Sequence, residues 1–138
     1  RDAEPISDEK YQQLPVEISE EIQELALLIT GGEESVYMKA KAIEQYLRMN
    51  YVYDLEYTRA PAGIEPVYWF LFEGKRGVCA NFASAFVVLS RSIGIPARLV
   101  GGFLIEDIAQ QQIVYADQAH AWAEVGFKEI GWIGLSNI

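Results

Sequence analysis

The sequence predicts an α+β domain with its helices first and its strands last. Three observations carry that expectation: two stretches of helical apolar stepping before residue 50, an almost wholly apolar helical stretch opening at Cys79, and four β-rich runs between residues 96 and 135. Segregation of this kind favours an antiparallel sheet packed on the Cys79 helix over an alternating parallel sheet. A chain of 138 residues has material for one core rather than two. Its 51% hydrophobic and 22% charged residues supply enough apolar surface to offset the entropy of folding.

Residues 1–17 are polar and contain Pro5 and Pro15, which suits an extended lead-in, so the folded domain is expected over residues 18–138. Ile18, Ile22, Leu25 and Ile29 then step by four, three and four, with Glu20, Glu21 and Glu24 near the positive end of the helix dipole. Thr30-Gly31-Gly32 stops this first helix, and Ser35 is placed to cap a second carrying Val36, Ala40, Ile43 and Leu47. The pair reads as a helical hairpin. Tyr51-Val52-Tyr53 is short and β-prone, and Thr58 to Pro66 reads as a loop. The run Val67 to Phe72 is too densely apolar to assign by period, and Glu73 to Gly77 reads as a turn. From Cys79 to about Ser92, Phe82, Phe86, Leu89 and Ile93 mark a buried central helix that Gly94 ends. Runs at 96–105, 112–116, 119–127 and 131–135 complete the sheet.

Charge and ligand chemistry exclude several functions. Twenty Asp plus Glu against 11 Lys plus Arg give a net charge of −9, which repels phosphate backbones and anionic lipid, so neither nucleic acid nor membrane contact by this segment is expected. One Cys and one His are too few soft ligands for a transition-metal site, and one thiol cannot form an internal disulfide. No acidic loop has calcium-binding spacing. No cofactor is expected.

Cys79 stands at the first turn of a helix, directly after the Gly74–Gly77 hinge, where the helix dipole favours a thiolate. Taken alone, a lone Cys is more often a small buried hydrophobe. The single histidine, His120, opens a strand-like run in which alternation places it on one face with Trp122 and Glu124. Imidazole beside a thiol takes its proton, and the resulting pair attacks an acyl carbon and protonates the leaving group. A Cys at a helix start with a His at a strand start is the pattern that such nucleophilic acyl transfer uses.

The blocks Gly77-Val78-Cys79-Ala80-Asn81-Phe82, Arg91-Ser92-Ile93-Gly94-Ile95-Pro96-Ala97-Arg98, His120-Ala121-Trp122-Ala123-Glu124-Val125 and Gly131-Trp132 resemble the transglutaminase-like superfamily, and the preceding helices resemble the lead-in of its bacterial and archaeal branch. The resemblance implies a papain-like core with Cys79 as nucleophile and His120 as general base. It implies transfer of an acyl group from a peptide or protein amide to an amine or to water, with cross-linking, deamidation and hydrolysis all open. Where the family usually has an aspartate four residues beyond the Trp, this chain has Ser136, which carries no charge to hold an imidazolium. Asn137 would orient the histidine only if Gly134 allows a bulge that turns it to the same face. Glu124 is a further source of charge, although two strand residues put it about 7 Å from His120.

An oxyanion hole would use the Cys79 backbone N–H with a side-chain donor from Asn50, Tyr53 or Trp69. Arg98 reads as structural, and Trp122 and Trp132 as packing around the cleft. Two rivals to the enzyme stay open: a weak or inactive module that binds a peptide or acts as a spacer in a larger envelope protein, and an intracellular peptide hydrolase. The resemblance to domains embedded in prokaryotic membrane proteins favours an extracytoplasmic position.

Overall fold

A computed structural model describes residues 20–103, 119–127 and 131–135. The lead-in, the run at 112–116, Ser136 and Asn137 lie outside the described residues. Within them the element order is α1 (Glu20–Thr30), α2 (Val36–Asn50), β1 (Val52–Tyr53), α3 (Pro66–Tyr68), a π-helical turn (Trp69–Gly74), β2 (Arg76–Gly77), α4 (Cys79–Ser92), β3 (Ala97–Phe103), β4 (Ala119–Phe127) and β5 (Gly131–Leu135). Helices precede the main sheet, as the sequence predicts.

The stripes that define α1 and α2 form their contact faces. Ile22 and Ala26 are buried, Leu25 and Ile29 pack at the margin, and Thr30 closes α1 by donating its hydroxyl to the Ala26 carbonyl at 2.8 Å. Ser35 caps α2 by accepting the Met38 N–H at 3.0 Å. Ala40, Ile43 and Leu47 face inward from α2, and α1 and α2 pack on each other and on α4. Glu44, 5% exposed, lies on that inner side and is held by Lys41 at 2.7 Å and Arg48 at 3.7 Å. Its hydrogen bond raises the Lys41 ammonium above the ordinary lysine pKa.

The apolar run that has no readable period splits into two kinds of helix. Glu65 caps α3 by accepting the Tyr68 N–H at 2.9 Å, with Pro66 in the first turn. The chain then widens into the π-helical turn and leaves it through Lys75 at φ 60°, whose N–H donates to the Phe70 carbonyl at 3.1 Å. Gly74 has no room for a side chain, since a Cβ there would sit 2.5 Å from Trp69 Nε1. Part of the expected turn at 73–77 is instead a strand. β2 pairs in parallel with β1, Val52 opposite Arg76 and Tyr53 opposite Gly77.

α4 is the centre of the core, burying Phe82, Ala83, Ala85, Phe86, Val87 and Leu89. Gly94, at φ 85°, ends it as the sequence predicts. Arg91 reaches past this end to donate to the Ala97 carbonyl at 2.9 Å. The sheet is antiparallel in the order β3-β4-β5, with Leu99 opposite Ala123 and Val125 opposite Ile133. Ala123 and Val125 are buried in the same core as the α4 side chains. α4 therefore lies between the helical hairpin and β4.

Candidate active site

Cys79 is the first residue of α4 and is half-buried. Its placement follows from what surrounds it along the chain. β2 ends at Gly77, fastened to β1 by Val52 N–H to Lys75 O at 3.1 Å and Asp54 N–H to Gly77 O at 2.9 Å. Val78 caps α4, and its N–H donates to Asn81 Oδ1 at 2.8 Å, so the Asn81 side chain folds back over the helix start. That fold-back occupies the space beside Gly77, where a Cβ would meet Asn81 Cβ and Oδ1 at 2.6 Å. Gly77 is thus required by the Asn81 cap. We expect Gly77→Ala to cost about 1–3 kcal/mol, the usual scale of overpacking, and to dislodge the helix start; urea unfolding measures the first effect and thiol labelling of Cys79 the second.

The four-residue reach from Cys79 to Phe82 enters an aromatic ladder. Tyr51 stacks on Phe70 with centroids 4.9 Å apart, Phe70 meets Phe82 edge-on at 5.1 Å, and Tyr53 lies 6.4 Å from Phe82. Tyr51 donates its hydroxyl to the Leu71 carbonyl at 3.0 Å, and burial raises its phenol pKa far above the ordinary value. The ladder joins β1, the π-helical turn and the first turn of α4.

His120 lies on β4, where its backbone pairs with Gly102 of β3. β4 is the strand against which α4 packs. Ser136 and Asn137, the candidates for orienting the histidine, lie outside the described residues. The Glu124 carboxylate accepts from Arg98 Nε at 2.9 Å and pairs with Arg98 Nη2 at 2.8 Å. Arg98 also stacks over Trp132, 4.1 Å from the ring centroid. Arg98 is thus held by a cross-strand carboxylate and a ring.

Two of the three oxyanion donors considered are committed elsewhere. Asn50 donates its amide to the Tyr46 carbonyl at 2.8 Å, and Trp69 donates its indole N–H to the Thr58 carbonyl at 3.2 Å. Tyr53, opposite Gly77 across β1–β2, stays beside the Cys79 turn.

Sequence reasoning missed a cavity of about 250 Å3 lined by Tyr57, Arg59, Ala60, Pro66, Trp69, Phe70, Arg76 and Asn81. Its wall includes residues on both sides of Cys79, from β2 and from the first turn of α4. The only local signal was Asn81, three residues after the cap. Among the described residues, no cluster of three or more His, Cys, Asp or Glu side chains is placed to hold a metal ion.

Comparison with known proteins gives a consistent result. The chain is 40% identical over 134 residues to YebA of Bacillus subtilis strain 168, an uncharacterized protein, matching 91% of this chain and 18% of that one. It is 36% identical over 84 residues to a protein-glutamine gamma-glutamyltransferase of Pseudomonas aeruginosa, matching 57% of this chain and 13% of that one. The chain therefore spans under a fifth of the length of either relative. Its fold superposes on the periplasmic domain of TgpA from Pseudomonas aeruginosa with a TM-score of 0.78 at 28% identity, covering 93% of this chain and 47% of that one. The sequence model of the transglutaminase-like superfamily matches residues 23–136, and with the helical hairpin, the central Cys79 helix and the antiparallel sheet in place, the chain belongs to that superfamily.

Proposed function

We propose that the domain catalyses acyl transfer from a peptide or protein amide through a Cys79–His120 pair. Cys79 gives its proton to His120 and attacks the amide carbonyl; the C–N bond breaks, and the departing amine leaves with the proton from the imidazolium. The acyl group rests on Cys79 as a thioester. An amine or water then gives a proton to His120 and attacks, the C–S bond breaks, and the thiol returns. The observation that carries this reading is that Cys79 opens the helix whose body packs on the strand bearing His120. The protein-glutamine gamma-glutamyltransferase relative supports a glutamine amide as acyl donor. The periplasmic domain among the structural relatives supports an extracytoplasmic position. Among the described residues no helix is long and apolar enough to cross a membrane.

The test is to incubate the protein with a blocked glutaminyl peptide and a fluorescent primary amine, following ammonia release and amine incorporation. Because Ser136 stands where the family usually has aspartate, Ser136→Asp is expected to raise turnover about tenfold or more by holding the imidazolium. Ser136 also favours a second reading, a cleft that binds peptide without turning it over. Saturable peptide binding with no ammonia released, by the natural protein or by Ser136→Asp, would establish that reading instead.

A further inference from the structure

We infer that the cavity beside the Cys79 turn is a subsite for a carboxylate carried by the acyl-donor chain. In a protein of net charge −9, this concavity is lined by two arginines, Arg59 and Arg76, and by no acidic side chain. Arg59 makes no ion pair with any described residue. Arg76 shares its charge with Asp54 at 3.4 Å, outside the lining. Two guanidinium groups and one carboxylate leave a net single positive charge, which matches a carboxylate better than a doubly charged phosphate. Tyr57, Pro66, Trp69 and Phe70 supply apolar walls for the aliphatic stem of such a group. The cavity is also anchored to the reactive segment: Arg76 lies three residues before Cys79, and Asn81, which caps the helix start, lies two residues after it. A carboxylate seated here fixes the donor chain beside the thiol. The protein's acidic surface repels acidic substrates at long range, so this subsite selects them at contact and against that field.

The link to a donor chain rests on the acyl-transfer reading, whereas occupancy of the cavity does not, and binding is therefore measured separately from turnover. Three N-acetylated tripeptides with a central glutamine serve as probes: one with glutamate before the glutamine and an amidated end, one with uncharged side chains and a free terminal carboxylate, and one with uncharged side chains and an amidated end. Calorimetry on the full chain at low salt is expected to give at least about fivefold tighter binding for one of the two carboxylate peptides than for the neutral one, the scale of one part-exposed ion pair. Which of the two gains identifies the source as a side chain or a chain end. Arg59→Gln is expected to erase the difference, Arg59→Lys to retain part of it, and 0.5 M salt to shrink it. Equal binding of all three peptides, no saturable binding of either carboxylate peptide, or a preference untouched by Arg59→Gln would overturn the subsite. A carboxylate preference in binding with no ammonia released would leave the subsite standing and remove the acyl-transfer reading; turnover without any carboxylate preference would do the reverse.

Discussion

Cys79→Ala is expected to lower amine incorporation and ammonia release by about a thousandfold or more, because no other side chain can hold the acyl group as a thioester. The chain has no second thiol to take over. His120→Ala is expected to fall to a similar level, and the double variant to fall no further, because a nucleophile and its base act as a unit and their losses do not add. The same pair sets thiol reactivity. Iodoacetamide labelling at neutral pH reports only Cys79, and its rate is expected to drop in His120→Ala while circular dichroism and the unfolding midpoint stay put. Turnover that survives in Cys79→Ala, or labelling indifferent to His120, contradicts the mechanism.

Phe70→Ala carries the largest expected effect on stability. Phe70 is 2% exposed, stacks on Tyr51 and meets Phe82 edge-on, so truncation empties the middle of the aromatic ladder. Loss of a buried phenylalanine costs about 3–5 kcal/mol, a large share of the roughly 5–15 kcal/mol that holds a domain of this size together. Thermal unfolding is expected to shift down by about 10–20 °C. Phe70→Leu keeps most of the volume and loses only the ring geometry, so its cost stays under about 1.5 kcal/mol. Equal losses in the two variants would show that ring geometry, rather than the cavity left behind, carries the effect. Phe82 belongs to the first turn of α4, so the Ala variant also loosens Cys79, and its labelling rate is expected to change along with its stability.

Local periodicity made the helical parts of this fold readable. The steps at Ile22, Leu25 and Ile29, at Ala40, Ile43 and Leu47, and at Phe82, Phe86 and Leu89 each named the buried side of a helix before any contact was known. Ser35, Gly94 and the order of elements were readable for the same reason, since caps and stops act within one turn. Trp69 to Gly74 was not, because a densely apolar run has no period to tell one kind of helix from another. The β1–β2 pairing was hidden because each strand has two residues and its partner lies 24 positions away. Cys79 and His120 stood out as the sole members of their types. The charge partners did not: Glu124 pairs with Arg98, which comes from the neighbouring strand. The cavity was invisible for a related reason, since Tyr57 and Arg59 reach Arg76 and Asn81 only through tertiary structure.

The clamp between β1 and β2 gives the reactive segment two unequal supports. Toward the sheet, α4 is riveted by its apolar face and by Arg91 on the Ala97 carbonyl, and the chain leaving it is held by Gly126 N–H on the Pro96 carbonyl at 3.2 Å. Toward β1, the approach to Cys79 hangs on the amides of Val52 and Asp54, both outside any long ladder. Opening of that short seam frees the segment ahead of the nucleophile while the core stays shut, so deuterium uptake at these two amides reads the looseness of the thiol's seat separately from global unfolding.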